Sequence, residues 1–306
     1  MDLRQLQNFV RIVEAGSITR AAALVGIAQP ALTLQVARLE QELGVPLLLR
    51  SPRGVKPTEA GLSLHRQARE LLRQAERIPA RVRASAGEAA GEVSVGLPTA
   101  LVAFFAAPLM RAVAERLPRV TLRLFDGQSA LLREHALTGR VDLALVSEHG
   151  PQPALDRLPL FRQRLSLLTD GTGPGDAEGA PIALEAAAAR AAGLPSPGNV
   201  VRAAFDAALA RAGLAAQARV ELNSLPTVVA AVREGLGAAI TIWTPLPAAS
   251  GLCHRPVEPA LSIAVSLCAA AGAAPDPAAE AVRALLAEGV RARIGAGDWP
   301  GAEPLT

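Results

Sequence analysis

Apolar residues recur at helical spacing along the start of the chain. A first stripe over residues 3–13 follows i, i+3, i+4 spacing and predicts a helix that ends at Gly16. Ser17 is a suitable N-cap for a second, short helix over residues 18–25. A Gln-Pro pair then begins a third helix over residues 29–43, because proline is tolerated in a first helical turn.

A small wing and a long helix are predicted next. Residues 47–50 and 54–57 predict two short strands around a turn. Residues 58–87 predict one helix, which at about 1.5 Å per residue is roughly 45 Å long. A domain of residues 1–58 is too small to cover it, so we expect the helix to pair with a second copy of itself. An ordinary amphipathic helix packed on its own domain is the alternative.

The pattern changes after a hinge at residues 87–91. Strands and helices alternate over residues 93–146, which is typical of a parallel sheet, and a second alternating set covers residues 165–241. A last strand and a last helix fall within residues 262–291. We expect the tail, residues 295–306, to be disordered. The fold class is therefore α/β overall behind an all-α start.

Charge is divided unevenly between these two parts. Residues 1–87 carry 13 basic and 7 acidic side chains, whereas the rest of the chain carries 18 and 21. A basic head on an acidic body indicates a polyanionic partner for the head, although solvated helices also carry such charge. The chain shows neither a long uncharged apolar run nor a signal peptide, so we expect a cytoplasmic protein with no membrane partner.

Residues that carry catalytic or redox chemistry are sparse. Cys253 and Cys268 fit small buried apolar residues better than a redox pair. The four histidines show no paired spacing with an acid or a nucleophile, and the sequence contains neither zinc-ligand spacing, a phosphate loop nor a dinucleotide fingerprint. We therefore expect no metal, no cofactor and no enzymatic activity.

The order of motifs in the first 60 residues resembles the LysR family of bacterial regulators. The segments that match are residues 17–22, 29–33, 39–40, 43–47, 50 and 58–61. The segments most similar to the nitrogen-assimilation-control branch of that family are residues 29–33, 53–55 and 57–61. The α/β pattern of residues 91–294 also fits the effector domain of the family.

The resemblance implies a domain plan and a set of partners. It implies a winged helix-turn-helix DNA-binding domain at residues 1–58, a linker and dimerisation helix at residues 59–88, and an effector-binding domain at residues 89–306. That last domain is similar to periplasmic binding proteins, with subdomain I at about residues 91–162 and 268–294 and subdomain II at about residues 163–267. The implied partners are double-stranded DNA, a homodimer through the linker helix that assembles into a homotetramer, a small-molecule effector and RNA polymerase.

The start of the third helix is the expected base-reading element. A helix-turn-helix places these turns against base edges in the major groove. Gln29 and Thr33 lie four residues apart on one face, and glutamine can pair with adenine while threonine can donate, accept or offer a methyl group. The ring of Pro30 can touch a thymine methyl. At Leu34 many family members carry arginine, so one DNA contact of the family is in doubt there.

Further DNA contacts are expected along the helix and in the wing. Gln35 and Arg38 lie nearer the phosphate backbone. Arg53 at the wing tip can enter a minor groove, flanked by Arg50 and Lys56; for Arg50, a structural ion pair is an equally open interpretation. Two other departures from the family concern structure: Ala28 replaces the usual capping serine of the third helix, and Leu48-Leu49 replaces a Phe-acidic pair.

The predicted effector site lies at the ends of strands and the starts of helices. Ligands of open parallel sheets bind outside the carboxyl ends of the strands, where free helix N–H groups attract anions. The candidates are Pro98, Thr99, Ala100, Gly127, Gln128, Ser129, Ser147, Asn199, Val200 and Ser224. Helix capping explains each polar residue singly, and their convergence makes a ligand site equally open. The sequence identifies no basic residue near this cleft.

The sequence favours an effector-responsive regulator that binds an interrupted inverted repeat, and three other functions are the alternatives. An enzyme is disfavoured by the sparse chemistry. A solute-binding protein without DNA function is disfavoured by the basic N-terminal helices. A LysR-type regulator that needs no effector remains an open alternative.

Overall fold

The computed structural model describes residues 1–51, 54–84, 89–148, 154–246, 250–272 and 276–305. The chain forms two compact units, Met1–Glu88 and Ala89–Thr306. The end of the predicted linker helix and the start of the predicted hinge, residues 85–88, fall outside the described residues. Each unit has its own apolar core.

The N-terminal unit begins with three helices at the predicted positions. They are α1 (Leu3–Ala15), α2 (Ile18–Val25) and α3 (Gln29–Leu43). Side chains cap the first two, since Asp2 Oδ1 accepts from the Gln5 amide at 2.8 Å and Ser17 Oγ accepts from the Arg20 amide at 3.4 Å. The core that these helices enclose includes Phe9, Ile12, Leu32, Val36 and Leu39.

None of these helices is a membrane-spanning candidate alone. In the part of the chain that the structure describes, no single helix has the length and apolar composition to cross a membrane. Helices α2 and α3 pass that test only as a pair, and they are bent by 110° with respect to each other.

A two-stranded wing follows α3. Its strands are β1 (Leu48–Ser51) and β2 (Gly54–Pro57), which pair antiparallel. Residues 52 and 53 of the predicted turn lie outside the described residues. The carboxylate of Glu40 holds the entry to the wing, because its Oε1 accepts from the amides of Leu47 and Leu48 at 2.8 and 3.2 Å.

The long helix α4 (Glu59–Ala84) completes the unit. It packs on α1, where Ala68 is buried against Leu6. Its first turn lies very close to the wing, since a Cβ placed on Gly61 would be 2.0 Å from the carbonyl oxygen of Leu47. A side chain of any size at this position would therefore push the helix away from the wing.

The C-terminal unit alternates strands and helices over its first half. These elements are β3 (Gly91–Pro98), α5 (Val102–Arg116), β4 (Val120–Gly127), α6 (Ser129–Leu137), β5 (Leu143–Glu148) and β6 (Leu155–Thr169). Strand β3 pairs parallel with β4 and β5, as the pattern predicted. The buried carboxylate of Asp142 accepts from the amide and the hydroxyl of Ser94, both at 2.9 Å, and so fixes the start of β5 to β3.

The second half of the unit repeats the alternation and then returns to the first sheet. Its elements are β7 (Ile182–Ala183), α7 (Leu184–Arg190), β8 (Ala191–Leu194), α8 (Val200–Arg211), β9 (Val220–Glu221), α9 (Leu225–Arg233), β10 (Ala238–Ile242), β11 (Cys253–Glu258), β12 (Ser262–Ala270), α10 (Pro277–Gly295) and β13 (Ala302–Pro304). The strand order is β4-β3-β5-β12-β6-β10-β8-β9.

Two long strands join the two halves of this sheet. Strand β12 pairs antiparallel with β5 on one side and with β6 on the other, and the last residues of β6 pair antiparallel with β10. The prediction of a parallel sheet therefore holds within each half, but the connection is antiparallel. Because β6 pairs with β12 along its first part and with β10 in its last residues, it runs through both halves, and the carboxyl ends of strands from both halves line one pocket.

The prediction of a disordered tail is wrong. Trp299 is only 4% exposed and contacts the rings of Phe104, Phe105 and Phe161, with centroid distances of 6.2, 5.0 and 4.5 Å. Strand β13 then pairs antiparallel with β6. One large aromatic side chain anchors a segment whose glycines and prolines are otherwise typical of disorder.

Candidate functional site

The exposed face of α3 carries the residues predicted to read bases. Gln29 and Pro30 are exposed and Thr33 is half-buried. Gln29 Nε2 donates to Thr33 Oγ1 at 2.9 Å, and Thr33 Oγ1 donates to the carbonyl of Gln29 at 3.1 Å. The two side chains thus form one polar unit at the first turns of the helix, where hydrogen-bonding groups would meet base edges.

The other positions predicted on α3 differ in their exposure to solvent and in their hydrogen bonds. Leu34 and Arg38 are exposed. Gln35 is half-buried, and its Oε1 accepts from Nδ2 of the buried Asn8 at 2.6 Å. That bond leaves the Gln35 amide NH₂ as its remaining donor group for a phosphate.

The wing positions are described only in part. Lys56 is exposed on β2. Arg50 belongs to β1, but its side chain, like the whole of Arg53, lies outside the described part of the structure. At the N-cap of α3, Ala28 makes no side-chain hydrogen bond, as its methyl group dictates.

All ten residues predicted for an effector site line one pocket of the C-terminal unit, with a volume of about 300 Å³. Residues 98–100 and 127–129 follow β3 and β4, Ser147 lies in β5, and Asn199 and Ser224 precede α8 and α9. The structure therefore brings together side chains that are more than 120 positions apart in the sequence, at the carboxyl ends of the parallel strands.

Hydrogen bonds between loops give the pocket its shape. Ser129 Oγ accepts from the Ser147 amide at 3.1 Å, which fixes the start of α6 to β5. Asn199 caps α8 through a 2.9 Å bond from the Val201 amide to its Oδ1. Asn199 thus shows the capping role that the sequence left open.

The side-chain amide of Asn223 fixes the opposite wall of the pocket. Asn223 Oδ1 accepts from the Ser196 amide at 3.0 Å, and Asn223 Nδ2 donates to Ser196 Oγ at 2.8 Å. The loop before α8 and the loop before α9 are therefore bonded to each other, so the two helix starts face the pocket as one rigid rim.

The residues that set the charge and the floor of the pocket were not predicted from the sequence. Arg133 on α6 lines it, although no basic residue had been identified near the cleft. It follows Ser129 by one helical turn, so i, i+4 spacing from a predicted site residue could have found it. The buried Thr241 and an apolar floor were also missed. The floor includes Leu222, Val228, Ile240, Ile242 and Ile263.

Buried titratable groups elsewhere in the unit have structural roles. His254 is fully buried with its Nδ1 2.7 Å from Ser166 Oγ, and burial lowers its pKa to about 3, so the imidazole is neutral. Burial also raises the pKa of the Cys253 thiol, aided by the carboxylate of Glu178. Neither Cys253 nor Cys268 forms a disulfide among the described residues. Among the described residues, no group of three or more His, Cys, Asp or Glu side chains could hold a metal ion.

Comparison with known families matches both units. Residues 3–62 match the family described as bacterial regulatory helix-turn-helix protein, lysR family, and residues 86–291 match the LysR substrate binding domain. The chain is 35% identical to the nitrogen assimilation regulatory protein nac of Escherichia coli (strain K12) over 294 residues, which is 94% of each chain. It is 36% identical to the nac protein of Klebsiella aerogenes over the same share of both chains.

Solved structures show the same fold. A full-length OxyR variant from Pseudomonas aeruginosa matches with a TM-score of 0.71 at 24% identity, covering 95% of each chain. Full-length CbnR complexed with its target DNA matches with a TM-score of 0.64 at 23% identity, covering 95% of this chain and 99% of that one. The chain therefore belongs to the LysR family of transcriptional regulators, with a DNA-binding helix-turn-helix and an effector-binding domain, and it is not an enzyme.

Proposed function

We propose that this regulator reads its operator through Gln29, Pro30 and Thr33, with Leu34 completing the apolar part of the same surface. The observation that carries the proposal is the exposed Gln29–Thr33 unit at the start of α3. Thr33 holds the amide group of Gln29 in one orientation. A side chain oriented before binding loses less rotamer freedom when it meets a base, which favours recognition.

Phosphate contacts surround this surface in the proposal. Arg38 and the amide of Gln35 contact the backbone beside α3. Lys56 and Arg50 contact it from the wing, and Arg53 enters the minor groove. The exposure of Arg38 and Lys56 supports their part in this arrangement, because phosphate contacts need free cations.

Two copies of the chain are needed for an interrupted inverted repeat. We infer a homodimer paired through α4 and a homotetramer built from two such dimers. RNA polymerase is the further partner at the promoter, and the working protein is therefore in the cytoplasm with its DNA.

The proposed domains have separate tasks. Residues 1–58 bind DNA, residues 59–88 pair two chains, and residues 89–306 bind the effector. The boundaries between the two subdomains of the last domain lie near residues 162 and 268. The CbnR structure, a complex with target DNA, supports the DNA-bound arrangement by analogy.

The pocket of the C-terminal unit is proposed as the effector site. Convergent helix starts, polar loop residues and an apolar floor in a volume of about 300 Å³ are typical of small-molecule sites. A regulator of the same family that acts without any effector is the second candidate. The two differ in whether a small molecule changes DNA binding.

The proposal is tested by selecting DNA fragments with the purified full-length chain and sequencing them, with and without small metabolites. We expect an enriched inverted repeat whose half-sites lie about one helical turn apart. Affinity for that site should fall steeply as salt concentration rises, since phosphate contacts release counterions. Selection of no motif at any salt concentration would reject the regulator, whereas a motif that responds to no metabolite would favour the effector-free form.

A further inference from the structure

The effector pocket has a one-sided charge. Among its lining residues Arg133 carries the only charged side chain, and no aspartate or glutamate is present. Glu134, the next residue on α6, is exposed to solvent and lines an adjoining cavity that shares Arg133 and six other lining residues with the pocket. Among the described lining residues, the pocket thus contains one positive charge and no negative charge, and the carboxylate of Glu134 lies in the adjoining cavity.

Arg133 has no partner within the part of the chain that the structure describes. The side chain is half-buried and makes neither an ion pair nor a hydrogen bond there. Two other half-buried arginines of this unit, Arg190 and Arg255, both contact the carboxylate of Asp176, at 2.8 and 3.2 Å. Arg293 is half-buried too and, like Arg133, makes no ion pair or hydrogen bond among the described residues. A solvated surface arginine would explain the missing partner, but it would not explain the position of Arg133 in the pocket wall.

Helix starts add to the positive potential. Helices α5, α6 and α9 begin at the pocket with N-caps that make no side-chain hydrogen bond. Their first amides and the positive ends of their dipoles therefore favour an anion. Helix α8 differs, because Asn199 already caps it.

Thr241 is an independent sign of a ligand. It is 7% exposed and lines the pocket from β10, between Ile240 and Ile242. Within the described residues, its hydroxyl makes no hydrogen bond. This hydroxyl is therefore open to a hydrogen bond with water or with a ligand in the pocket. The hydroxyl lies in an otherwise apolar floor that also contains Ile263.

We propose that the pocket selects a small organic monoanion, whose carboxylate pairs with Arg133 at the start of α6. This rests on the proposed function of the pocket as an effector site. The apolar body of the ligand lies on Ile240, Ile242 and Ile263, and Thr241 bonds a polar atom of that body. A second carboxylate would find no second cationic side chain among the described lining residues, and an amine would face Arg133, so charge disfavours both classes relative to a monoanion.

The test uses the full-length chain and calorimetric titration with five probes. Isovalerate and benzoate are monoanions, isovaleramide is a neutral match of the first, methylsuccinate is a dianion and isopentylamine is a cation. We expect at least one monoanion to bind with a Kd in the millimolar range or below, and its binding to exceed that of the other classes by roughly tenfold or more.

Variants assign that preference to named residues. Arg133→Gln should weaken binding of the monoanion about tenfold while leaving isovaleramide unchanged, and Thr241→Val should weaken binding less, by several-fold. Arg111→Gln, which removes an exposed arginine of α5 outside the pocket, is the matched control and should change nothing. Unfolding midpoints of all three variants establish that each is folded.

Two results would overturn the inference. One is equal binding of isovalerate and isovaleramide, or no binding of either monoanion at about 10 mM. The other is unchanged monoanion binding in Arg133→Gln. Binding of a selected DNA site is measured in the same samples. If the unmodified chain binds the DNA site but no monoanion, this inference alone is rejected. If the unmodified chain does not bind DNA, the proposed function is rejected.

Discussion

The two candidate sites of this regulator are built in opposite ways. The side chains of α3 that we propose to face DNA lie within residues 29–38 of one helix and need little beyond that helix to stand side by side. The pocket draws its lining from residues 98–263 of the C-terminal unit. A local site follows from helical periodicity, whereas a dispersed site depends on the strand order that brings its parts together.

The two sites also rest on different cores. Helix α3 is held by a small cluster around Phe9, Ile12 and Leu32. The pocket is held by a large cluster that extends from β3 to Trp299. If this comparison is correct, a lesion in one core should lower the stability of its own unit and leave the other site able to bind.

The largest effect is expected from Trp299→Ala in the C-terminal unit. Removing a buried indole that contacts three phenylalanine rings should lower the free energy of unfolding of that unit by about 4 kcal/mol. Urea unfolding, with hydrogen exchange to assign the loss to a unit, measures it. Glu303→Ala, at an exposed position of β13, is the control and should stay within about 0.5 kcal/mol. An unchanged free energy of unfolding in Trp299→Ala would contradict the role of Trp299 as the anchor of the tail.

The next effect concerns the N-terminal unit. Gly61→Ala should destabilise it by about 3 kcal/mol, because the added methyl would overlap the carbonyl of Leu47. Gly289→Ala is the matched change in α10, where no atom lies within 4 Å of the new methyl. It should stabilise the C-terminal unit by roughly 0.5–1 kcal/mol, since alanine favours a helix over glycine. Changes of the same sign in the free energy of unfolding of the two variants would contradict the close packing of Gly61 against the wing.

A decrease in pH should destabilise the C-terminal unit through His254. Its folded pKa, about 3, lies below the unfolded value of 6.5, so unfolding takes up a proton between these limits. Stability is therefore full above pH 6.5 and falls as pH decreases toward 3, with about 2 kcal/mol lost from the C-terminal unit between pH 7 and pH 5. Denaturant unfolding at both pH values measures this loss. His254→Gln should remove most of that pH dependence, and an unchanged slope in the variant would assign it to other groups.

The smallest effect is a gain at the start of α3. Ala28 has extended backbone angles suited to an N-cap but no capping atom. Ala28→Ser should stabilise the N-terminal unit by about 1 kcal/mol. Ala37→Ser, an exposed change in the middle of the same helix, should instead cost roughly 0.5 kcal/mol. Thermal unfolding of the two variants shows whether the effect of a serine depends on its position in the helix. Equal shifts of the unfolding midpoint in both variants would refute the capping explanation.

Sequence predicted the N-terminal unit well because its signals are local. A Gln-Pro pair and Gly44 mark the ends of α3, and the observed bounds are Gln29–Leu43. Strand β6 was less predictable: it begins at Leu155 rather than near residue 165, because charged residues interrupt its first half. Helix α7 was missed in an alanine-rich stretch, where neither helical nor strand periodicity is visible.

The pocket was predictable in outline and not in chemistry. Strand ends and helix starts identified ten lining residues, since the rule for open parallel sheets depends only on element order. Arg133 was missed because it lies inside α6, away from an element boundary. Thr241 is the penultimate residue of β10, so the same rule of strand ends could have identified it. Whether an arginine is paired or free, and whether a threonine is buried, depends on contacts between distant segments.

The central claim is that the Gln29–Thr33 unit of α3 discriminates between bases. The most direct measurement compares the affinities of the unmodified chain and of Gln29→Ala for a selected operator and for random DNA. The variant should lose about 1–3 kcal/mol on the operator and almost none on random DNA. Gln41→Ala, another exposed glutamine of α3, should change neither affinity. Equal loss on both DNAs, or no loss on the operator, would contradict base reading by Gln29.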